Sequence, residues 1–186
     1  MVESNSPVLR LLRSRRSVRR FESRALEPEL LDALLESALR SPSSKMRRPW
    51  HFVLVTRFET LEALSRSKTH GSSFLKGAPA AVVVLAEPAQ SDVWVEDASI
   101  ATLLLQLTAE SLGLGSCWIQ IRERSFDASK SSEEYVREQL AIPDGLRVAT
   151  IVALGWPAEN LKPHEYSSLP GDRIHRESFA SIQTPR

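Results

Sequence analysis

Residues 92–113, DVWVEDASIATLLLQLTAESLG, set the strongest constraint on the fold. The pattern predicts one long helix, with Asp92 as its cap, Glu96 and Asp97 in the first turns where the dipole favours acids, and Gly113 as its stop. Beyond them, Ile100, Ala101, Leu103, Leu104, Leu105, Leu107 and Leu112 leave little polar face. A helix apolar almost all round has to be buried, either at the centre of its own domain or against a partner subunit.

What can bury it is legible on both sides. Residues 80–86, AAVVVLA, form a continuous apolar run expected of a strand covered on both faces. Residues 50–56, 115–121 and 147–154 supply three further strands, rich in β-branched and aromatic residues. Between the strands lie helical patterns. Ser6-Pro7 caps and opens a short helix over 8–13. Pro28 starts a stronger one with Leu30, Leu31, Leu34, Leu35 and Leu39 at helical spacing, stopped at Pro42. Shorter helices are expected at 58–65 and 131–141, a loop at 41–50, and a loop or broken helix at 69–77. Strands alternating with helices predict an α/β or α+β layered domain. At 186 residues the chain suits a single domain over 1–186, with 156–186, poor in periodicity, as a C-terminal arm.

The charge is unevenly placed. Residues 10–20 hold six arginines and no acid, whereas the rest of the chain has 18 basic residues against all 23 acidic ones. Arginine forks match phosphate oxygens with paired charge-assisted hydrogen bonds, and Ser17 adds a hydroxyl among them. The cluster therefore reads as a phosphate clamp or as a solvated basic arm.

Several chemistries are excluded. There is no GxGxxG turn, no GxxxxGK[ST] loop and no GxSxG elbow. The four histidines form no i,i+3 or i,i+4 pair, and Cys117 is the sole cysteine, so neither a zinc site nor an intrachain disulfide is expected. A phosphate clamp without an acid–base constellation points to chemistry carried by a bound cofactor. With no secretory apolar stretch at the N-terminus and no apolar run of membrane length, a cytoplasmic protein is expected.

Four motifs then occur in order. They are Arg15-Arg16-Ser17-Val18-Arg19-Arg20-Phe21, the SPSSKMRRPW stretch at 41–50, the AESLGLGSCW stretch at 109–118, and Gly155-Trp156-Pro157 followed by Arg173. In that order and spacing, over about residues 7–175, the chain resembles the nitroreductase family of FMN-dependent oxidoreductases. Residues 68–76 and 91–101 resemble a compact subgroup of it.

The resemblance implies an α+β fold with a central, mostly antiparallel sheet flanked by helices, and the long helix at a homodimer core. It implies that Arg15, Arg16, Ser17 and Arg19 hold the FMN phosphate and the carbonyl edge of the ring, with Arg173 reaching the phosphate from the C-terminal arm. Pro42, Ser43 and Ser44 would face the flavin of the other subunit, and Trp118, Ile119 and Gln120 would meet the isoalloxazine, largely through backbone. NADH or NADPH would reduce the flavin, and a nitroaromatic or quinone acceptor would reoxidise it in a ping-pong cycle. No general acid or base is named. Two side chains depart from the pattern: Met46 stands for the family's asparagine and Arg48 for its glutamine. Two rival readings share the same residues. One keeps the flavin for dehalogenation or flavin fragmentation, and the other makes the arginines a non-enzymatic nucleic-acid arm.

Overall fold

The computed structural model describes residues 6–179. In chain order the elements are α1 (Pro7–Ser14), α2 (Pro28–Leu39), β1 (Trp50–Val55), α3 (Phe58–Ser65), β2 (Ala80–Ala86), α4 (Trp94–Ser111), β3 (Gly115–Gln120), α5 (Ser132–Leu140) and β4 (Arg147–Gly155). Short 3-10 turns lie at Ser44–Met46, Ser73–Gly77, Tyr166–Ser168 and Gly171–Arg173.

The strands form one sheet in the order β1-β2-β4-β3, antiparallel at every pairing. Every residue of β2 is buried, as its unbroken apolar run requires. Alternation along β2 divides the core in two. Ala81, Val83 and Leu85 pack with Leu61 and Leu64 of α3 and Val136 of α5 on one face. Val82 and Val84 pack with Leu34 of α2 and with Ala98, Leu105 and Ala109 of α4 on the other. The result is three layers, helix–sheet–helix, in an α+β arrangement.

Helix starts and stops follow local chemistry. The Ser6 side chain accepts the Leu9 N–H ahead of Pro7, and Ser131 with Glu134 makes a reciprocal capping box on α5. At the end of α4, Gly113 takes φ 74°. Its N–H reaches the Glu110 carbonyl while that of Leu114 reaches Ala109, the bonding pattern a left-handed glycine permits.

One sequence expectation for α4 needs correction, and one of its two burial alternatives is not met within this chain. Asp92 does not cap it. Val93 holds that position without a side-chain bond, because the Asp92 carboxylate lies 3.2 Å from Arg47. Nor is α4 buried all round within this chain. Ile100 and Leu103 are 39% and 42% exposed, and with half-buried Leu104 and Leu107 they form an i, i+3, i+4, i+7 apolar stripe. The arm beyond β4 folds into two 3-10 turns, and residues 162–179 are exposed throughout. Among the described residues, no helix is long and apolar enough to cross a membrane.

Candidate functional site

The arginine-rich stretch leaves α1 as an extended segment bound to the sheet at two places. Ser17 bridges to Ser116 in parallel, with the Val18 N–H 3.0 Å from the Ser116 carbonyl. Further on, Phe21 pairs with Pro157 just after β4, the Glu22 N–H donates to Trp156, and the Ala158 N–H donates to Arg20. Two glycines make room. A Cβ on Gly115 would lie 2.8 Å from Val18 Cγ1, and one on Gly155 would lie 2.9 Å from the Phe21 ring. Glu159 fastens the segment by accepting the N–H groups of Arg19 (2.6 Å) and Arg20 (3.2 Å) and the Arg20 Nε–H. The Arg19 N–H above all holds the Glu159 carboxyl below its ordinary range.

Extended geometry sends alternate side chains to opposite sides. Arg15, Ser17 and Arg19 gather beside Cys117. Burial pushes the Cys117 thiol up, against the Arg19 and Arg15 charges and a Ser17 hydrogen bond that pull it down. The Arg19 guanidinium also lies 5.9 Å from the Phe74 ring centre. Half-buried Lys68 borders the same cysteine. Its ammonium is pushed below the usual lysine range by burial and then by the Arg124 charge. Arg16 goes to the other side. It donates to the Lys162 carbonyl and, with Val18, Glu110 and Asn160, lines a cavity of about 340 Å³. Arg10 and Arg13 stay on α1, so the six arginines do not form one basic face.

β3 is the edge strand beside this cluster. Because the Ser116 carbonyl faces outward to Val18, pairing geometry turns the backbone groups of Trp118 and Gln120 outward as well. Their side chains are tied to each other and to the chain beyond. Trp118 Nε1–H donates to Gln120 Oε1 at 3.0 Å, Gln120 Nε2 donates to the Arg122 carbonyl at 3.0 Å, and the Arg122 guanidinium lies 5.7 Å from the Trp94 ring centre on α4. Ile119 is fully buried and its carbonyl accepts from Thr150 at 2.9 Å, so it faces the core and β4.

Pro42, Ser43 and Ser44 stand elsewhere, at the N-terminal end of α4. The Ser44 N–H donates to Asp97 Oδ1 at 2.8 Å, and Asp97, 3% exposed, also accepts Ser91 Oγ–H at 2.9 Å. Arg16 lies near the other end of α4, with Glu110 and Gly113, and 18 helical residues span about 27 Å. Within one chain, therefore, Arg15, Ser17, Arg19, Trp118 and Gln120 share the β3 edge region. Pro42, Ser43 and Ser44 lie at the far end of α4, and Arg173 lies on the exposed arm.

Sequence reasoning gave no site role to Lys68, Phe74 or Glu159, and gave Asp97 a different one. Asp97 read as a helix-dipole charge, and only its burial reveals it as the anchor of the 41–48 loop. Chemically, a group of cations lies beside a strand edge whose backbone donors face outward, and Glu159 behind it is committed to the Arg19 and Arg20 N–H groups and the Arg20 side chain. This suits an elongated ligand with an anionic end and a planar end that seeks hydrogen bonds. The phosphate and ring of FMN fit that description.

Comparison with known proteins identifies the family. The nitroreductase family model matches residues 12–68 and 58–156. A protein of Archaeoglobus fulgidus, provisionally named NADH dehydrogenase/NAD(P)H nitroreductase, is 35% identical over 92% of this chain and 98% of its own length. One of Methanothermobacter thermautotrophicus with the same name is 34% identical over 95% and 90%. The solved structure of an FMN-dependent nitroreductase from Clostridium difficile R20291 superposes with a TM-score of 0.89 at 42% identity, over 91% of this chain and 98% of that one. An edge strand flanked by an arginine segment, on a sheet of this order and with relatives of this similarity, makes the chain a member of the nitroreductase family.

Proposed function

We propose that this chain is a homodimeric FMN-dependent oxidoreductase that uses NADH or NADPH to reduce an oxidised small molecule of the nitroaromatic or quinone type. The observation that carries this reading is the pairing of Arg15, Ser17 and Arg19 with the open edge of β3. It is supported by the FMN dependence named for the C. difficile relative and the NAD(P)H named for the archaeal ones.

In this reading Arg15, Ser17 and Arg19 receive the phosphate and the nearby carbonyl edge of the ring, and Lys68 adds charge beside them. Arg16 approaches the phosphate from the cavity side, and Arg173 reaches it from an arm. Trp118 and Gln120 offer backbone groups to the ring, while Ile119 keeps the strand seated in the core. Bound flavin supplies the hydride and electron chemistry. The protein's share is orientation, exclusion of water and electrostatics.

The exposed face of α4 supports the homodimer. Its apolar stripe centres on Ile100 and Leu103, near the middle of the helix. An isologous pair packed there, with the two helices antiparallel, would carry the 41–48 loop of one subunit to the α4 C-terminal end of the other. That is where the arginine segment lies. Pro42, Ser43 and Ser44 would then complete the partner's site.

Replacing two arginines tests the clamp. Arg15→Ala/Arg19→Ala is expected to weaken FMN at least tenfold by flavin-fluorescence titration, as loss of two charge-assisted contacts implies. Unchanged affinity in the folded variant would remove the phosphate from this segment.

A further inference from the structure

The tip of the 41–48 loop is built in a conformation its residues do not favour. Lys45, Met46 and Arg48 take φ of 51°, 56° and 50°, the left-handed region that ordinary L-residues rarely enter. The surrounding bonds impose it. Buried Asp97 holds the Ser44 N–H, Ser43 Oγ accepts the Arg48 N–H at 2.8 Å, and the Met46 and Arg47 N–H groups return to the Ser43 and Ser44 carbonyls. Strain of this kind persists where the surroundings over-determine it, and it collects at binding sites.

The three cations on this tip are treated differently. Arg47 is matched by Asp92 at 3.2 Å. The side chains of Lys45 and Arg48 are exposed and, among the described residues, have neither an ion-pair nor a hydrogen-bond partner. A fixed backbone thus presents two uncompensated positive charges, beside an exposed Met46.

We propose that Lys45 and Arg48 form an anion-selecting rim over the active site of the partner subunit. They would favour redox partners that carry a carboxylate, sulfonate or phosphate group. This rests on the homodimeric flavin reading above. The anionic group can belong to the acceptor or to the phosphates of the nicotinamide donor, and the two are separable because each half-reaction can be followed alone. Rim charges act by raising the encounter rate with opposite charge, and salt screens them.

The test uses FMN-loaded wild type and Lys45→Ala/Arg48→Gln. Stopped-flow absorbance follows flavin reduction by NADH and by NADPH, then reoxidation by nitrobenzene or by 4-nitrobenzoate. The variant is expected to lose about tenfold in second-order rate with the anionic partner, whether nitrobenzoate or the nicotinamides, while nitrobenzene stays within about twofold. In wild type the same anionic reaction should slow steeply with added salt and the nitrobenzene reaction should not, a result that needs no variant. A variant that reacts with both nicotinamides and with 4-nitrobenzoate at the wild-type rate, or a wild type whose anionic reactions depend on salt no more than nitrobenzene does, overturns the proposal and leaves the flavin reading standing. Wild type that holds no FMN, or is a monomer, overturns both, and that outcome is seen before any acceptor is added.

Discussion

Gly115 is where a single hydrogen atom decides the position of the arginine segment. Its backbone lies so close to Val18 that a Cβ would meet three side-chain carbons between 2.8 and 3.1 Å away. Val18 is buried and β-branched, so it cannot swing aside. Gly115→Ala is therefore expected to displace the segment from β3, moving Ser17 off Ser116 and turning Arg15 and Arg19. FMN affinity should fall roughly tenfold or more with the circular dichroism spectrum retained, a misplacement effect rather than an unfolding one. Equal FMN affinity in the two proteins would mean that the segment tolerates the shift. From sequence, Gly115 read as part of a family motif, because the Val18 it accommodates is 97 residues away.

Among the elements, the extended segment at 15–22 is held by backbone bonds to the sheet and by one carboxylate. Glu159 accepts bonds from Arg19 and Arg20, and its folded-state pKa is lowered, chiefly by the Arg19 N–H. A lowered carboxyl pKa gives stability that is complete above the unfolded value and is lost as pH falls through the folded one. Glu159→Gln should consequently melt below wild type at neutral pH, and the gap should close as the medium is acidified below the ordinary carboxylate range. A gap that widened in acid would contradict this role. The elements themselves were largely legible. The unbroken 80–86 run, the proline that opens α2 and the leucine-rich α4 place strands and helices where local chemistry alone demands them. The misread details turn on contacts from afar. Asp92 faces Arg47 instead of capping its own helix, and Asp97 serves a loop 53 residues earlier.

At the scale of the whole molecule, the homodimeric reading leaves the candidate site only half present in one chain. The arginine segment and the β3 edge come together within it, and their residue types could be read from the sequence. Lys68 and Glu159 join them only through the tertiary fold. The 41–48 loop and the arm with Arg173 lie apart, and the apolar stripe on α4 offers the surface through which a second copy would supply the loop. The apolar pattern of α4 left burial in its own domain and burial against a partner both open, and only the tertiary fold shows that Ile100 and Leu103 stay uncovered within the chain.

The most direct test of the account is an absorbance spectrum of the purified protein, saturated with FMN and freed of unbound ligand. Visible flavin bands retained by the protein, then bleached by NADH or NADPH in the absence of oxygen and restored by a quinone, are the predicted result. A colourless protein that cannot keep FMN, or bound flavin that neither nicotinamide reduces, would contradict it.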